Sequence, residues 1–199
     1  MDKFLIIIAV VLEVFAYYLY FRDTIKNKIK PHPMSWFVWF LLGGVGFFIQ
    51  VKAGAGLASI VMAISSVACF LILSYGIIRS LKQGLSYIKY SRSEWISFIS
   101  ALLIFIFYLT TKNGLVSIIL VALVDTLGFV PTFIKTWREP HQEQVFLYII
   151  SLTKYVLVLL TLAVFSMETA FYPAVLVFTN LSFVTFSFFR RRALQNSVK

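Results

Sequence analysis

The chain has 199 residues, 60% of them hydrophobic and only 13% charged, with a mean hydropathy of +0.90. That is more apolar side chain than the core of a soluble domain of this length can bury, so the composition excludes an ordinary soluble protein and indicates an integral membrane protein. The net charge of +10 invites a nucleic-acid reading, but the basic residues sit in connections between apolar runs rather than on one soluble face.

Crossing a bilayer's hydrocarbon core takes about 20 mostly apolar residues per helix, with every backbone N–H and C=O satisfied inside the segment. Seven stretches meet that condition, and runs such as "FISALLIFIFYLT" lack the alternation of barrel strands. The first helix is predicted over 3–22. Asp2 and Lys3 stand at the N-terminus in place of a basic n-region and no small-residue cleavage pattern follows, so it reads as a retained helix rather than a signal peptide. Glu13, Tyr17, Tyr20 and Thr24 lie along one stripe of it. The second, 34–53, puts Trp36, Trp39, Gly43, Gly46 and Gln50 on one stripe; the tryptophans read either as cavity lining or as interfacial anchors. The third, 56–78, carries Ser65, Ser66 and the lone Cys69, which excludes an intramolecular disulfide and reads as a small core residue. The fourth, 94–111, has no charge beyond Glu94. The fifth, 114–136, holds Asp125 near its centre and Pro131 further on; the sixth, 142–165, holds Lys154; the seventh, 168–189, holds Tyr172 and Asn180.

Basic residues follow the odd-numbered helices: Arg22, Lys26, Lys28 and Lys30, then Arg79, Lys82, Lys89 and Arg92, then Lys135 and Arg138, then Arg190, Arg191, Arg192 and Lys199. The other connections carry only Lys3, Lys52 and Lys112. The positive-inside rule then puts the C-terminus in the cytoplasm and the N-terminus outside, as an odd helix count also requires. The expected location is the plasma membrane, as a multi-pass protein of a bacterial inner membrane.

An internal repeat organises the chain. "IKNKIKPHPMSW" after the first helix and "IKTWREPHQEQV" after the fifth share Ile-Lys and Pro-His at one ungapped offset of 109 residues. The expected architecture is all-α and 3+1+3: a first three-helix repeat over 1–80, a loop and linker helix over 81–112, and a second repeat with a basic tail over 113–199. Parallel repeats of this kind are related by an axis along the membrane normal.

This layout, with "PHPMSWFVW" (Pro31 to Trp39) and "DTLGFVPTF" (Asp125 to Phe133), resembles the SWEET and PQ-loop transporter superfamily, which includes the PnuC transporters, and is most similar to its small bacterial members. Thr132 stands where the motif has Gln, and Arg22-Asp23 replace a Pro-Gln in the first repeat. The resemblance implies a seven-helix transporter fold; it also implies a substrate-contacting role for Asn180, whose match in the first half, Leu71, is apolar.

Glu13, Asp125 and Lys154 fall at one depth, near the bilayer midplane. A charge there is costly, so these side chains are expected to face the bundle interior and find partners. Asp125 is expected to pair with Lys154, on the helix next in sequence, leaving Glu13 as the acid that takes up a proton. Two acids and one base leave one carboxylate over, which either holds a proton or awaits a cation.

The site expected from these residues binds solute or couples protons through Glu13, Asp125, Lys154, Asn180, Tyr17 and Trp39, with Pro131, His32 and His141 as hinge or gate positions. No metal-ligand pattern and no catalytic constellation is present in the sequence, so neither cofactor nor enzyme activity is expected. The expected function is alternating-access transport of a small polar solute such as a sugar, amino acid or vitamin-like compound, with proton coupling as an option. The competing readings are a seven-helix sensor or photoreceptor and a non-transporting scaffold subunit. The partners expected are the solute, protons and the lipid bilayer, not nucleic acid; a homo-oligomer is compatible with the sequence.

Overall fold

The computed structural model describes residues 3–26, 33–82, 92–138, 140 and 145–197, and these form helices with no strand among them. In chain order they are α1 (Lys3–Ile25), α2 (Pro33–Lys52), a short 3-10 turn (Gly56–Ala58), α3 (Ser59–Lys82), α4 (Arg92–Thr111), α5 (Gly114–Arg138), α6 (Val145–Leu160) and α7 (Met167–Ser197). His32 and His141 lie outside the described residues, as does the side chain of Pro131, through which α5 runs on as a helix.

Five helices are long and apolar enough to cross a membrane: α1, α2, the 3-10 turn continuing into α3, α5 and α7. The apolar parts of α4 and α6 are shorter, Trp95–Thr111 and Val145–Leu160. The seven full spans expected from hydropathy are thus five by length, with two short apolar helices packed among them. Helix α6 ends before the expected 165, its last turn tightened by Thr161 N–H bonding the Val158 carbonyl three residues back at 3.1 Å, with the Thr161 hydroxyl donating to Leu157 O at 2.8 Å.

The surface is the reverse of a soluble protein's. On α1, Phe4, Ile7, Val11, Val14 and Tyr18 face outward while Glu13 is fully buried, and Leu103, Phe178 and Phe188 likewise point away from the core. Apolar side chains outside and ionised ones inside is the arrangement lipid favours.

Contacts fix the directions of the helices. Tyr17 meets Ser65 and Cys69, and Arg79 reaches Thr24, so α1 and α3 run the same way. Trp36, at the start of α2, packs on Tyr20 near the end of α1, so α2 runs opposite. Phe133 on Phe183 and Trp137 on Phe186 make α5 and α7 parallel, and Tyr148 on both Phe129 and Phe183 makes α6 antiparallel to them. Arg22, Lys26, Arg79, Lys82, Arg138 and Arg190 to Arg192 therefore gather at one end of the bundle, and Lys3, Lys52, Lys112 and Glu168 at the other. Within the bundle α3 lies against α1 and α2, α7 against α5 and α6, α1 against α6, α2 against α5, and α4 against α2 and α5.

The helix ends satisfy their own backbone groups, as an apolar surround requires. After α2, Gly54 (φ +79°) allows Ala55 N–H to bond Gln50 O at 2.9 Å and Gly54 N–H to bond Val51 O at 3.2 Å, a Schellman turn. Asn113 caps α5 by accepting from Val116 N–H at 3.1 Å. Ser166 and Thr169 cap α7 reciprocally, each hydroxyl accepting the other's backbone N–H at 3.3 and 2.9 Å.

Pro173 inside α7 lacks the N–H that would bond the Thr169 carbonyl. Gln50, fully buried on α2, supplies a substitute: its Nε2 donates to Thr169 O at 3.3 Å. Gln50→Leu is expected to leave that carbonyl orphaned and cost about 1–3 kcal/mol. Adding Pro173→Ala, which restores the helical bond, should recover most of the loss; thermal unfolding of both variants in detergent checks it, and equal midpoints for the single and double variants would refute the link.

Candidate functional site

The three ionisable residues at mid-span sit on different helices and all face inward: Glu13 on α1, Asp125 on α5 and Lys154 on α6 are 0%, 5% and 4% exposed. Their pairing differs from the sequence-based expectation. Lys154 Nζ forms an ion pair with Glu13 Oε2, not with Asp125. The reason is topological. Helix α6 packs on α1 and α7, whereas α5 packs on α2, α4 and α7, so neighbours in sequence are not the main neighbours in space. Glu13 is therefore the acid committed to the lysine, and its Oε1, buried as well, is without a hydrogen-bond partner among the described residues.

Aromatic rings enclose the ammonium. Lys154 Nζ stands 4.5 Å from the ring centre of Tyr155 and 5.9 Å from that of Tyr17. Tyr17 also ties α1 to α3, its hydroxyl 2.7 Å from Ser65 Oγ and 3.5 Å from Cys69 Sγ. The Glu13, Tyr17, Tyr20 and Thr24 stripe read from the sequence thus faces the bundle, with Thr24 fully buried.

Asp125 has a different environment. The Trp39 indole and the Lys154 ammonium both come within electrostatic reach of its carboxyl, the lysine without pairing with it. Trp39 leads on to Trp36, ring centres 5.1 Å apart and near-perpendicular, and Trp36 leads on to Tyr20 at 4.6 Å. Trp36 is buried among Tyr17, Tyr20 and Cys69, which rules out its alternative reading as an interfacial anchor. Tyr172 on α7 comes within electrostatic reach of Asp125, and its ring lies 3.5 Å from where a Cβ on Gly46 would stand. Gly46 thus makes room for Tyr172, as Gly43 does for Ser66, whose Cβ would be 3.4 Å away.

Asn180 is buried, but its Nδ2 donates to Leu176 O one turn back on its own helix at 2.7 Å. Tyr172, two turns earlier on α7, is buried as well. Tyr155 went unnoticed in the sequence; the readable signal was an aromatic residue directly beside a mid-span lysine. Cys69, read as core, is buried yet touches the Tyr17 hydroxyl. Among the described residues no group of three or more His, Cys, Asp or Glu side chains could hold a metal ion.

Chemically, the centre combines one neutralised ion pair, one further carboxyl and a run of rings. Removing only the cation leaves Glu13 without its partner. Lys154→Met is expected to destabilise the fold by about 3–5 kcal/mol, and Glu13→Leu with Lys154→Met to recover most of it. A double-mutant cycle on thermal midpoints in detergent measures the coupling; additive effects would show that the pair does not join the helices. No family model, curated protein or solved structure matches the chain.

Proposed function

We propose that the protein is a small-solute transporter of the plasma membrane, with solute bound at mid-span between two three-helix repeats joined by α4. The observation that carries this reading is the convergence of Glu13, Asp125 and Lys154, buried at the middle of three helices drawn from both halves of the chain. Ionisable groups at that depth are costly and belong to interiors, pathways and binding sites.

The helix contacts support the repeat. Exchanging α1, α2 and α3 for α5, α6 and α7 turns the α1 to α6 contact into the α5 to α2 contact, and both are present. An arginine near the end of the third helix of each half donates to a carbonyl near the end of the first: Arg79 to Thr24 O at 3.1 Å and Arg190 to Trp137 O at 3.0 Å. These features accord with the resemblance to the SWEET and PQ-loop superfamily and with a 3+1+3 arrangement. The gathering of basic residues at one end supports placing that end, and the C-terminus, in the cytoplasm.

In this reading Glu13 and Lys154 hold the halves together, and Asp125 exchanges a proton or contacts solute. The solute retained by the purified protein, identified by mass spectrometry and supplied in labelled form to proteoliposomes, is expected to cross the membrane. A proton gradient should accelerate it, and Asp125→Asn should abolish the acceleration. Equal flux in wild type and variant, with and without the gradient, would remove the proton role; a protein with no retained solute and no flux would instead be a scaffold held by a static ion pair.

A further inference from the structure

We infer that the mid-span site takes a small monovalent organic cation, with its ammonium group on Asp125 and its body against the rings of Trp39 and Trp36. This rests on the transport reading and names its substrate class. The first support is charge. Lys154 is spent on Glu13, and the two together are neutral. Around Asp125 the helices packed on α5 are α2, α4 and α7. Their described charged residues lie near the ends: Lys52 on α2, Arg92 on α4, and Glu168 with Arg190 to Arg192 on α7. Arg138 lies likewise at the end of α5 itself. None of them reaches mid-span, so Asp125 meets only the lysine that Glu13 already holds. An ionised Asp125 leaves the centre one positive charge short of neutral, inside an apolar bundle where such an imbalance is costly.

The second support is the kind of wall beside that carboxyl. A carboxylate offers about four acceptor positions, more than the one indole N–H within its reach could fill, which leaves acceptors for N–H donors from a ligand. Trp39 and Trp36 present two ring systems at 80° to each other, and Tyr20 adds a third on Trp36. Over the Tyr155 and Tyr17 rings stands the protein's own cation, Lys154; over Trp36 and Trp39 none stands among the described residues. A corner of tryptophan rings beside an uncompensated acid attracts ammonium groups and the apolar or flat bodies attached to them. It has no complementary cation for a carboxylate or phosphate, and too few polar side chains to replace the hydration of a polyol.

The test measures binding in detergent micelles, where transport is not needed. Thermal midpoints of the purified protein are recorded against tetramethylammonium, choline and phenethylammonium, with glucose, sorbitol, glutamate and sodium chloride at matched ionic strength. The expected result is stabilisation by one or more ammonium probes and by none of the others. Affinity should fall at least about tenfold in Asp125→Asn, and about tenfold in Trp39→Leu, the change expected for a desolvated cation–π contact, with Trp39→Phe retaining more of it. The wild-type panel does not depend on any variant folding. Stabilisation by sugar or glutamate equal to that by the ammonium probes would overturn the proposal, as would binding that survives Asp125→Asn. Sodium reproducing the whole effect would mean an inorganic ion site only, and no response to any ammonium probe also overturns it. A neutral solute carried at full rate by Asp125→Asn in proteoliposomes would sink the cation class and leave transport standing. Ammonium binding in micelles without flux of any solute would sink transport alone.

Discussion

In a bilayer no water completes an unmet hydrogen bond or screens an unmet charge, and the pair between Glu13 and Lys154 is where that constraint presses hardest. Neither side chain could be buried alone at the middle of an apolar helix without a large penalty. Each is tolerated because the other is there, which obliges α1 and α6 to meet at one register. Since α1 begins the chain and α6 follows Asp125, the pair closes a contact across 141 positions of sequence. The aromatic rings of Tyr17 and Tyr155 complete the ammonium's surround, and Tyr17 carries the constraint onward to α3 through Ser65.

The same demand shapes the backbone. Two of the breaks in helical hydrogen bonding that the sequence imposes are answered by a specific side chain or turn. Gly54 ends α2 in a left-handed residue that lets two carbonyls find N–H groups, and Gln50, one turn before it, compensates for Pro173 on α7. Packing between helices follows from small residues where backbones approach: Gly43 against Ser66, and Gly46 against Met62 and Tyr172. Dispersion and fit, rather than exclusion of water, hold helices together in lipid, so these glycines matter more than they would in a soluble core.

How much of this could be read beforehand depended on whether the signal was local. An acid or a lysine in the middle of an apolar run is visible in one window of sequence, and Glu13, Asp125 and Lys154 all proved buried and inward. The helix start at Gly114 was readable for the same reason, from the onset of apolar residues. The partner of Lys154 was not, because it depends on which helices touch, and proximity along the chain favoured Asp125. The early end of α6 was hidden because Leu162, Ala163, Val164 and Phe165 carry the apolar run past Leu160, where the helix stops. The place assigned to Asn180 came from a resemblance; the structure puts its side chain in the interior with its Nδ2 on the Leu176 carbonyl of its own helix. Trp36 and Trp39 were ambiguous in sequence because the same residue type serves at lipid headgroups and in interiors; Trp36 is buried at 6% exposure, while Trp39 keeps 38%.

The bonds between helices differ in kind along the bundle. At the end away from the basic cluster, Ala163 N–H donates to Ala55 O at 3.1 Å and Gln50 to Thr169 O, tying the end of α2 and the turn after it to the start of α7 and the segment before it. At the basic end arginines donate to carbonyls near the ends of other helices, Arg79 to Thr24 O, Arg190 to Trp137 O and Arg191 to Pro140 O. Each such bond is worth about 1 kcal/mol net, whereas removing one partner of a buried ion pair costs about 3–5 kcal/mol. The register of the bundle is therefore set at mid-span, and the bonds at its two ends align helices whose meeting the Glu13 to Lys154 pair has already fixed.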